Sequence, residues 1–274
     1  MLIKKKNILK FSINFLKKTG LNRANSELIS NQLVRSDMCN HFSHGVNRLL
    51  QYFNGAKKKI YKISAKPKQE INKKNFSLVN GHQAFGQIVM DFTCKLIIKK
   101  NIDIGITAVK NAGHIGRLSD YCDQLAKKKF ISLIFCNGGG PNTSIFPVSK
   151  RLFGTNPFAF GMPISKKKNF IVDFSTSKLA EGKINLAVLN KQKLFGNPIV
   201  SKKGKLSNDP NKLYDGGALI PFGEIKGSAF LLVNEIIGGL LFSPNNPFKK
   251  NYLDGNNCLI ITMRKSLFNF NKNF

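Results

Sequence analysis

Apolar residues recur along this chain with two different periods, and the change between them falls near residue 76. At the N-terminus Ile8, Phe11, Phe15 and Leu16 return at helical spacing, which predicts an amphipathic helix ending at Gly20. A second helix follows, with Asn25 or Ser26 as its cap and Leu28, Ile29 and Leu33 facing inward. If it runs from 26 to 48 and frays near Gly45, then Asp37, His41, His44 and Arg48 fall at i, i+4, i+7 and i+11 along one face. Leu49, Leu50, Tyr52 and Phe53 continue the helical pattern to Asn54-Gly55, so residues 1 to 60 read as helical. The Lys-rich stretch from 60 to 76, with Pro67, reads as a linker or edge strand.

Beyond it, strands and helices alternate. Strands are predicted over Phe76 to Val79, Ile102 to Val109 and Phe130 to Cys136, with helices over Phe85 to Ile98 and Leu118 to Ala126 between them. After Gly138-Gly139-Gly140-Pro141 come strands Phe158 to Met162 and Phe170 to Phe174, then a helix from Lys178 to Leu189. A polar excursion from Asn190 to Gly223 is of a length that is more often functional than idle. An apolar helix, Gly227 to Phe242, and a last strand, Cys258 to Thr262, follow, and the tail from Arg264 reads as loose. The alternation predicts an α/β fold with a mixed sheet. The expected division is a helical domain over 1–65, completed by 243–274, and an α/β domain over 66–242.

With 274 residues, 42% of them hydrophobic, the chain can bury a substantial core. Its charge is unusual: 44 Lys and Arg against 14 Asp and Glu give a net +30. That balance raises nucleic acid as a partner. The lysines, however, occur in short scattered runs at the ends of apolar segments, and none alternates with exposed aromatics as a stacking groove would. Lys, Asn, Ile and Phe are abundant and Trp is absent, which points to compositional drift, so nucleic acid is not the expected partner.

Five cysteines at scattered spacings suit buried thiols in a reducing compartment. The most apolar run, Ala229 to Phe242, is too short to span a bilayer, and the N-terminal apolar stretch is interrupted by Lys10, Asn14, Lys17 and Lys18. A cytoplasmic setting without membrane association is expected.

The candidate chemistry lies in four places. Ser43-His44-Gly45-Val46-Asn47-Arg48 places an imidazole near a guanidinium, a pair suited to a small carboxylate substrate, although the same spacing is common on solvated helix faces. Asn111-Ala112-Gly113-His114-Ile115-Gly116-Arg117 follows a strand, so His114 sits where α/β sheets gather ligands, or else serves a helix N-terminal turn. The glycines at 138 to 140 could converge on an anion or simply make a tight turn. Asp173-Phe174-Ser175-Thr176-Ser177 offers hydroxyls at a helix start, for capping or for ribose and anion contacts. Neither G-x-G-x-x-G nor a P-loop is present. Cys39-x-His41-x-x-His44 cannot be completed to a closed metal site, so no metal is expected.

Taken in order, these pieces resemble the malate/L-lactate dehydrogenase family, the non-Rossmann group that includes ureidoglycolate, sulfolactate and 2,3-diketogulonate oxidoreductases. The matching residues are Ser43-His44-Gly45 with Arg48, Val79-Asn80-Gly81 with Gly86-Gln87, Gly113 to Arg117, Asn137, Gly154 to Ala159, Asp173 to Ser177 with Gly182-Lys183, Asp209-Pro210 and Lys226-Gly227. The resemblance implies a helical N-terminal region, a non-Rossmann α/β cofactor region and a homodimer. It implies hydride transfer between NAD or NADP and a small anionic 2-hydroxy or 2-oxo acid. By position, His44 would be the acid/base, His114 a second acid/base or orienting group, and Arg48 and Ser43 the substrate contacts. Asn137, Gly138, Val172, Asp173, Phe174, Ser175, Thr176, Lys226 and Gly227 would surround the cofactor. The chain departs from the family pattern at Pro147-Val148-Ser149-Lys150 and at Gly138, where relatives often carry Ser. It also stops soon after its last strand, so a C-terminally shortened member is expected. The rival expectation is an eroded, non-catalytic relative acting as a binding or structural protein.

Overall fold

The computed structural model describes residues 3–165, 168–243 and 255–268. Its helical region starts with α1 (Lys5–Lys17) and α2 (Arg23–Met38). The α2 helix begins before either predicted cap. Asn22 is the cap instead, and its side chain accepts the Asn25 N–H at 2.8 Å, satisfying a donor the first turn would leave unpaired.

A helix carried from 26 to 48 and fraying near Gly45 does not form; α2 stops at Met38, and the reason is local. Asn40 takes a φ of 58°, its N–H bonds the Asp37 carbonyl at 3.0 Å, and the His41 N–H reaches the Ser36 carbonyl at 2.9 Å. This pair of reversed bonds is the Schellman termination, and Asn is among the few residues that accept its left-handed position. Two 3-10 turns, Phe42–His44 and Val46–Arg48, then lead into α3 (Leu49–Lys57). Leu16, Ile29, Leu33, Leu49, Tyr52 and Phe85 bury a common core beneath these helices.

The alternating part follows as β1 (Lys68–Asn72), β2 (Phe76–Asn80), α4 (Gly86–Lys100), β3 (Ile104–Ala112), α5 (Ser119–Ala126) and β4 (Phe130–Gly138). Next come β5 (Phe158–Pro163), β6 (Asn169–Phe174) and α6 (Glu181–Leu189). The excursion after α6 builds its own small sheet from β7 (Ile199–Val200), β8 (Leu206–Ser207) and β9 (Ala218–Leu219), with the short helix α7 (Asn211–Tyr214) packed on it. Ile184, Leu194, Ile199, Leu213 and Leu219 form its core, so this segment is anchored to α6. The apolar helix α8 (Ile225–Glu235) passes into a π-helical turn, Ile236–Leu240. The chain then returns as β10 (Asn256–Arg264).

The seven-stranded sheet has the order β1-β2-β3-β10-β4-β5-β6. Only β2 and β3 pair in parallel, so the sheet is mixed, as the alternation predicts. The position of β10 corrects one expectation. Residues 256–264 do not complete the helical region but form the centre of the sheet, with Ile260 facing Thr107 on one side and Ile134 on the other. Residues 244–254 and 269–274 of the same segment lie outside the described residues. Because β10 runs antiparallel to both neighbours, β3 and β4 run in the same direction and their carboxyl ends flank the start of β10 at one edge of the sheet. The main core spans this sheet and the helices on it, through Val89, Met90, Val109, Leu118, Tyr121, Ile134 and Ile260. Cys94, Cys122, Cys136 and Cys258 are buried free thiols, whereas Cys39 is exposed. Among the described residues no helix is long and apolar enough to cross a membrane.

Candidate functional site

Asn256 ties the two neighbouring strand ends together. It pairs with Ala112 at the end of β3 and with Gly138 at the end of β4. Its side chain accepts the Ile115 N–H at 3.2 Å and donates to the Asn137 carbonyl at 3.1 Å. Behind it lies a buried polar brace. Asn137 donates to Glu235 at 2.9 Å and accepts from Asn257 at 3.0 Å, while Asn156 donates to the other Glu235 oxygen at 2.7 Å. Burial raises the Glu235 carboxyl above its ordinary value, and the two amides pull it back down.

The helical region delivers the remaining residues to this edge. Asp37 accepts the Val46 N–H at 2.9 Å, so a residue of the last turn of α2 also holds the turn that follows His44. Gly45 permits the contact, since a Cβ there would lie 1.6 Å from an Asp37 carboxylate oxygen. Ser43 Oγ and His44 Nδ1 are 3.0 Å apart, and the His44 ring stacks on His114 with centroids 5.6 Å apart. His114 Nδ1 lies 2.9 Å from the Tyr52 hydroxyl, which receives a hydrogen bond from the buried Gln87 amide. With Gln87 donating, the Tyr52 proton points to Nδ1, which leaves the His114 Nε2–H as the outward donor.

Arg48 is fixed on three sides. Its Nε donates to the Ser43 carbonyl at 2.6 Å, Nη1 donates to Gln51 at 2.7 Å, and Nη2 stands 3.6 Å from Glu181. Burial, reinforced by the Arg48 charge, depresses both imidazoles: His44 falls to about 3 and His114 goes well below its ordinary value. Both rings are therefore uncharged at neutral pH. Burial likewise pushes Tyr52 up to about 12, so its hydroxyl stays protonated.

His44, Arg48, His114, Asn142, Glu181 and Asn256 line a cavity of about 120 Å³. It adjoins a cleft of about 650 Å³, with His44, Gly116, Thr155, Pro157 and Ala180 on the shared boundary. The structure thus brings His44, Arg48 and His114 together, though not by the single helical stripe that spacing suggested. Ser43 is buried and supports both His44 and Arg48. Gly138 lines the small cavity, and Asp173, Phe174 and Ser175 line the cleft.

Other expected positions stand apart from the space. Asn137 is wholly buried and its side chain is committed to the brace. Val172 lies within β6 opposite Phe160, Thr176 is bonded to the Thr155 carbonyl at 2.8 Å, and Lys226-Gly227 opens α8 without lining either cavity. His41 is exposed at the rim of the cleft beside Cys39. The sequence reading missed Gln51, Glu181 and Tyr214 altogether and counted Tyr52 as packing only. Their roles depend on contacts between distant segments, for which no local periodicity exists.

Fold and pocket together define a mixed-sheet α/β protein with a small polar cavity opening on a larger cleft. The malate/L-lactate dehydrogenase family matches residues 3–269, and the chain belongs to that family. It is 31% identical over 244 residues to the L-sulfolactate dehydrogenase of Methanocaldococcus jannaschii, an alignment covering 88% of this chain and 70% of that protein. It is 28% identical over 248 residues to the malate dehydrogenase of Pyrococcus abyssi, covering 87% and 68%. The solved sulfolactate dehydrogenase from M. jannaschii superposes with a TM-score of 0.85 at 27% identity, covering all of this chain and 81% of that one. A putative malate/lactate dehydrogenase from Escherichia coli shares the fold, with a TM-score of 0.91 at 24% identity over 98% and 78% of the two chains.

Proposed function

We propose that the protein is an NAD(P)-dependent oxidoreductase that moves hydride between a nicotinamide cofactor and a small 2-hydroxy or 2-oxo acid. The observation that carries this reading is the convergence of His44, His114 and Arg48 on one small cavity beside a cleft of ligand size. Membership of a dehydrogenase family and likeness to sulfolactate and malate dehydrogenases support it.

The cleft suits a dinucleotide. Its volume lies within the range of about 300–1,000 Å³ typical of ligand sites. Ser175 and Ser177 offer hydroxyls, Lys178 and Lys183 offer ammonium groups for phosphates, and Phe174 and Phe222 offer apolar faces. Gly138, on the wall of the adjoining small cavity, would make contact through its backbone, and the Asn137 side chain behind it is committed to the buried brace. When bound, the nicotinamide accepts or supplies the hydride.

Arg48 holds the substrate carboxylate, and its three existing contacts orient the guanidinium before the substrate arrives. In the tautomer whose His44 Nδ1–H donates to Ser43, Nε2 is a bare base that takes the 2-hydroxyl proton during oxidation and returns it to the carbonyl oxygen during reduction. His114, uncharged and donating through Nε2–H, orients the same oxygen. A purely binding role would give no reason to hold two stacked imidazoles uncharged and separately braced. Homodimeric assembly and a cytoplasmic setting belong to the same reading, and sedimentation would test the first. The direct test is NADH and NADPH oxidation with a panel of 2-oxo acids, comparing wild type with His44→Asn and Arg48→Lys. Turnover indifferent to both changes would defeat the assignment.

A further inference from the structure

Among the described residues lining the small cavity, Arg48 is the one permanent cation and Glu181 the one carboxylate. The two face each other at 3.6 Å across its wall. Glu181 stands in the first turn of α6 and is held from behind, where the Tyr214 hydroxyl donates to its Oε1 at 2.9 Å. That leaves Oε2 toward the guanidinium. The backbone of α6 is pressed against the same group: a Cβ on Gly182 would lie 2.7 Å from Arg48 Nη2 and 2.7 Å from Ser43 Cβ. The approach keeps Glu181 beside Arg48, and its tether to Tyr214 resists withdrawal.

A substrate carboxylate seated on Arg48 therefore shares its only cation with a resident carboxylate. A second anionic group on the substrate would find no cation in the cavity and would meet Glu181. Lys178, Lys183 and Arg117 line the neighbouring cleft and not the cavity, and Arg117 is paired with Asp120 at 2.6 Å. We propose that Glu181 makes this a site for monoanionic 2-hydroxy and 2-oxo acids, whose remaining atoms are neutral or cationic, and selects against dicarboxylates and sulfonates. The proposal rests on the substrate reading given above. It separates this chain from the relatives named for malate and sulfolactate, both of which are doubly anionic. Discrimination arises from placing like charges together and leaving one charge unpaired.

The test is calorimetric titration of the full chain, saturated with its nicotinamide nucleotide, by L-lactate and by L-malate, using wild type, Glu181→Gln and Glu181→Asp. Wild type should bind lactate at least ~10-fold more tightly than malate. Glu181→Gln should bring the two within ~3-fold, chiefly by improving malate, and Glu181→Asp should keep the preference. Wild type favouring malate, or an unchanged ratio in a folded Glu181→Gln protein, would overturn the proposal. Folded wild type that binds neither acid would overturn the underlying substrate reading, and the selectivity with it.

Discussion

His44 and His114 stack with their ring centroids 5.6 Å apart and their planes inclined by 21°, one ring brought by a 3-10 turn of the helical region and the other by the loop after β3. Each has its own anchor, Ser43 for the first and Tyr52 for the second. Two stacked imidazolium ions beside Arg48 would repel one another, so the pair accommodates one proton at most. Under the proposed function the anchors divide the labour: His44 would exchange a proton and His114 would donate a fixed hydrogen bond.

Replacing His44 with Asn should lower kcat by about 10²–10⁴-fold, the usual worth of a positioned acid/base. Nicotinamide-nucleotide affinity should stay within ~3-fold, because the ring touches only the boundary of the larger cleft. Steady-state kinetics together with a binding titration would check both parts.

Charge on Arg48 is one of the forces that keep both rings unprotonated. A carboxylate seated on Arg48 neutralises that force, so the imidazole pKa values should rise on binding. Between the free and bound values, proton uptake should accompany ligand binding. Titrating a 2-oxo acid in two buffers of different ionisation enthalpy at about pH 4, just above the free His44 value, should give different apparent heats, and the difference should shrink in His44→Asn.

The same depression shapes stability. An imidazole has an ordinary value near 6.5, so below that pH the unfolded chain binds protons that the folded chain refuses. Stability from the neutral rings is present in full above 6.5 and is lost as pH falls toward about 3 for His44. Asp37, Asp173 and Glu235, raised by burial, act with the opposite sign. The informative quantity is thus a difference: between pH 7 and 5 the melting temperature should fall more in wild type than in His44→Asn.

Much of the architecture was legible because it rests on local pattern. The apolar periods of α4, α5, β4 and β5 coincide with the observed elements to within a few residues. A helix carried on to Arg48 with fraying near Gly45 overruns the observed end at Met38, although Asn40 carries a usable signal for a left-handed stop. The sequence placed Cys258 to Thr262 as a strand but not in the middle of the sheet, because strand order is decided by pairing between segments far apart in the chain. In the site, His44, Arg48 and His114 were found as residues, whereas the Glu181–Tyr214 and Tyr52–Gln87 contacts exist only in three dimensions.

Gly182 offers a steric test of Arg48. An added methyl would press on the guanidinium and on Ser43, both within 3.0 Å of the new atom. The Ser43 side is a packed backbone segment, so the longer Arg48 side chain must yield. Gly182→Ala should accordingly raise KM for the 2-oxo acid by ~10-fold or more while leaving nucleotide affinity little changed, since the loss falls on carboxylate binding.

Glu235 tests whether the brace behind the strand ends has to be ionised. Both of its oxygens accept an amide N–H, from Asn137 and from Asn156, and Asn137 in turn holds Asn257 of β10. A carboxylate satisfies both donors, but a Gln side chain offers one acceptor and turns an N–H₂ toward the other donor. Neither Asn can simply reverse: Asn137 Oδ1 already accepts from Asn257, and Asn156 Oδ1 accepts the Gly138 N–H at 3.3 Å. Glu235→Gln should therefore leave a buried donor facing a donor and cost about 1–3 kcal/mol of unfolding free energy. Denaturant titration would measure it. The loss should be accompanied by faster amide exchange at Gly138 and Asn257, the backbone positions through which this brace holds the carboxyl end of β4 against β10.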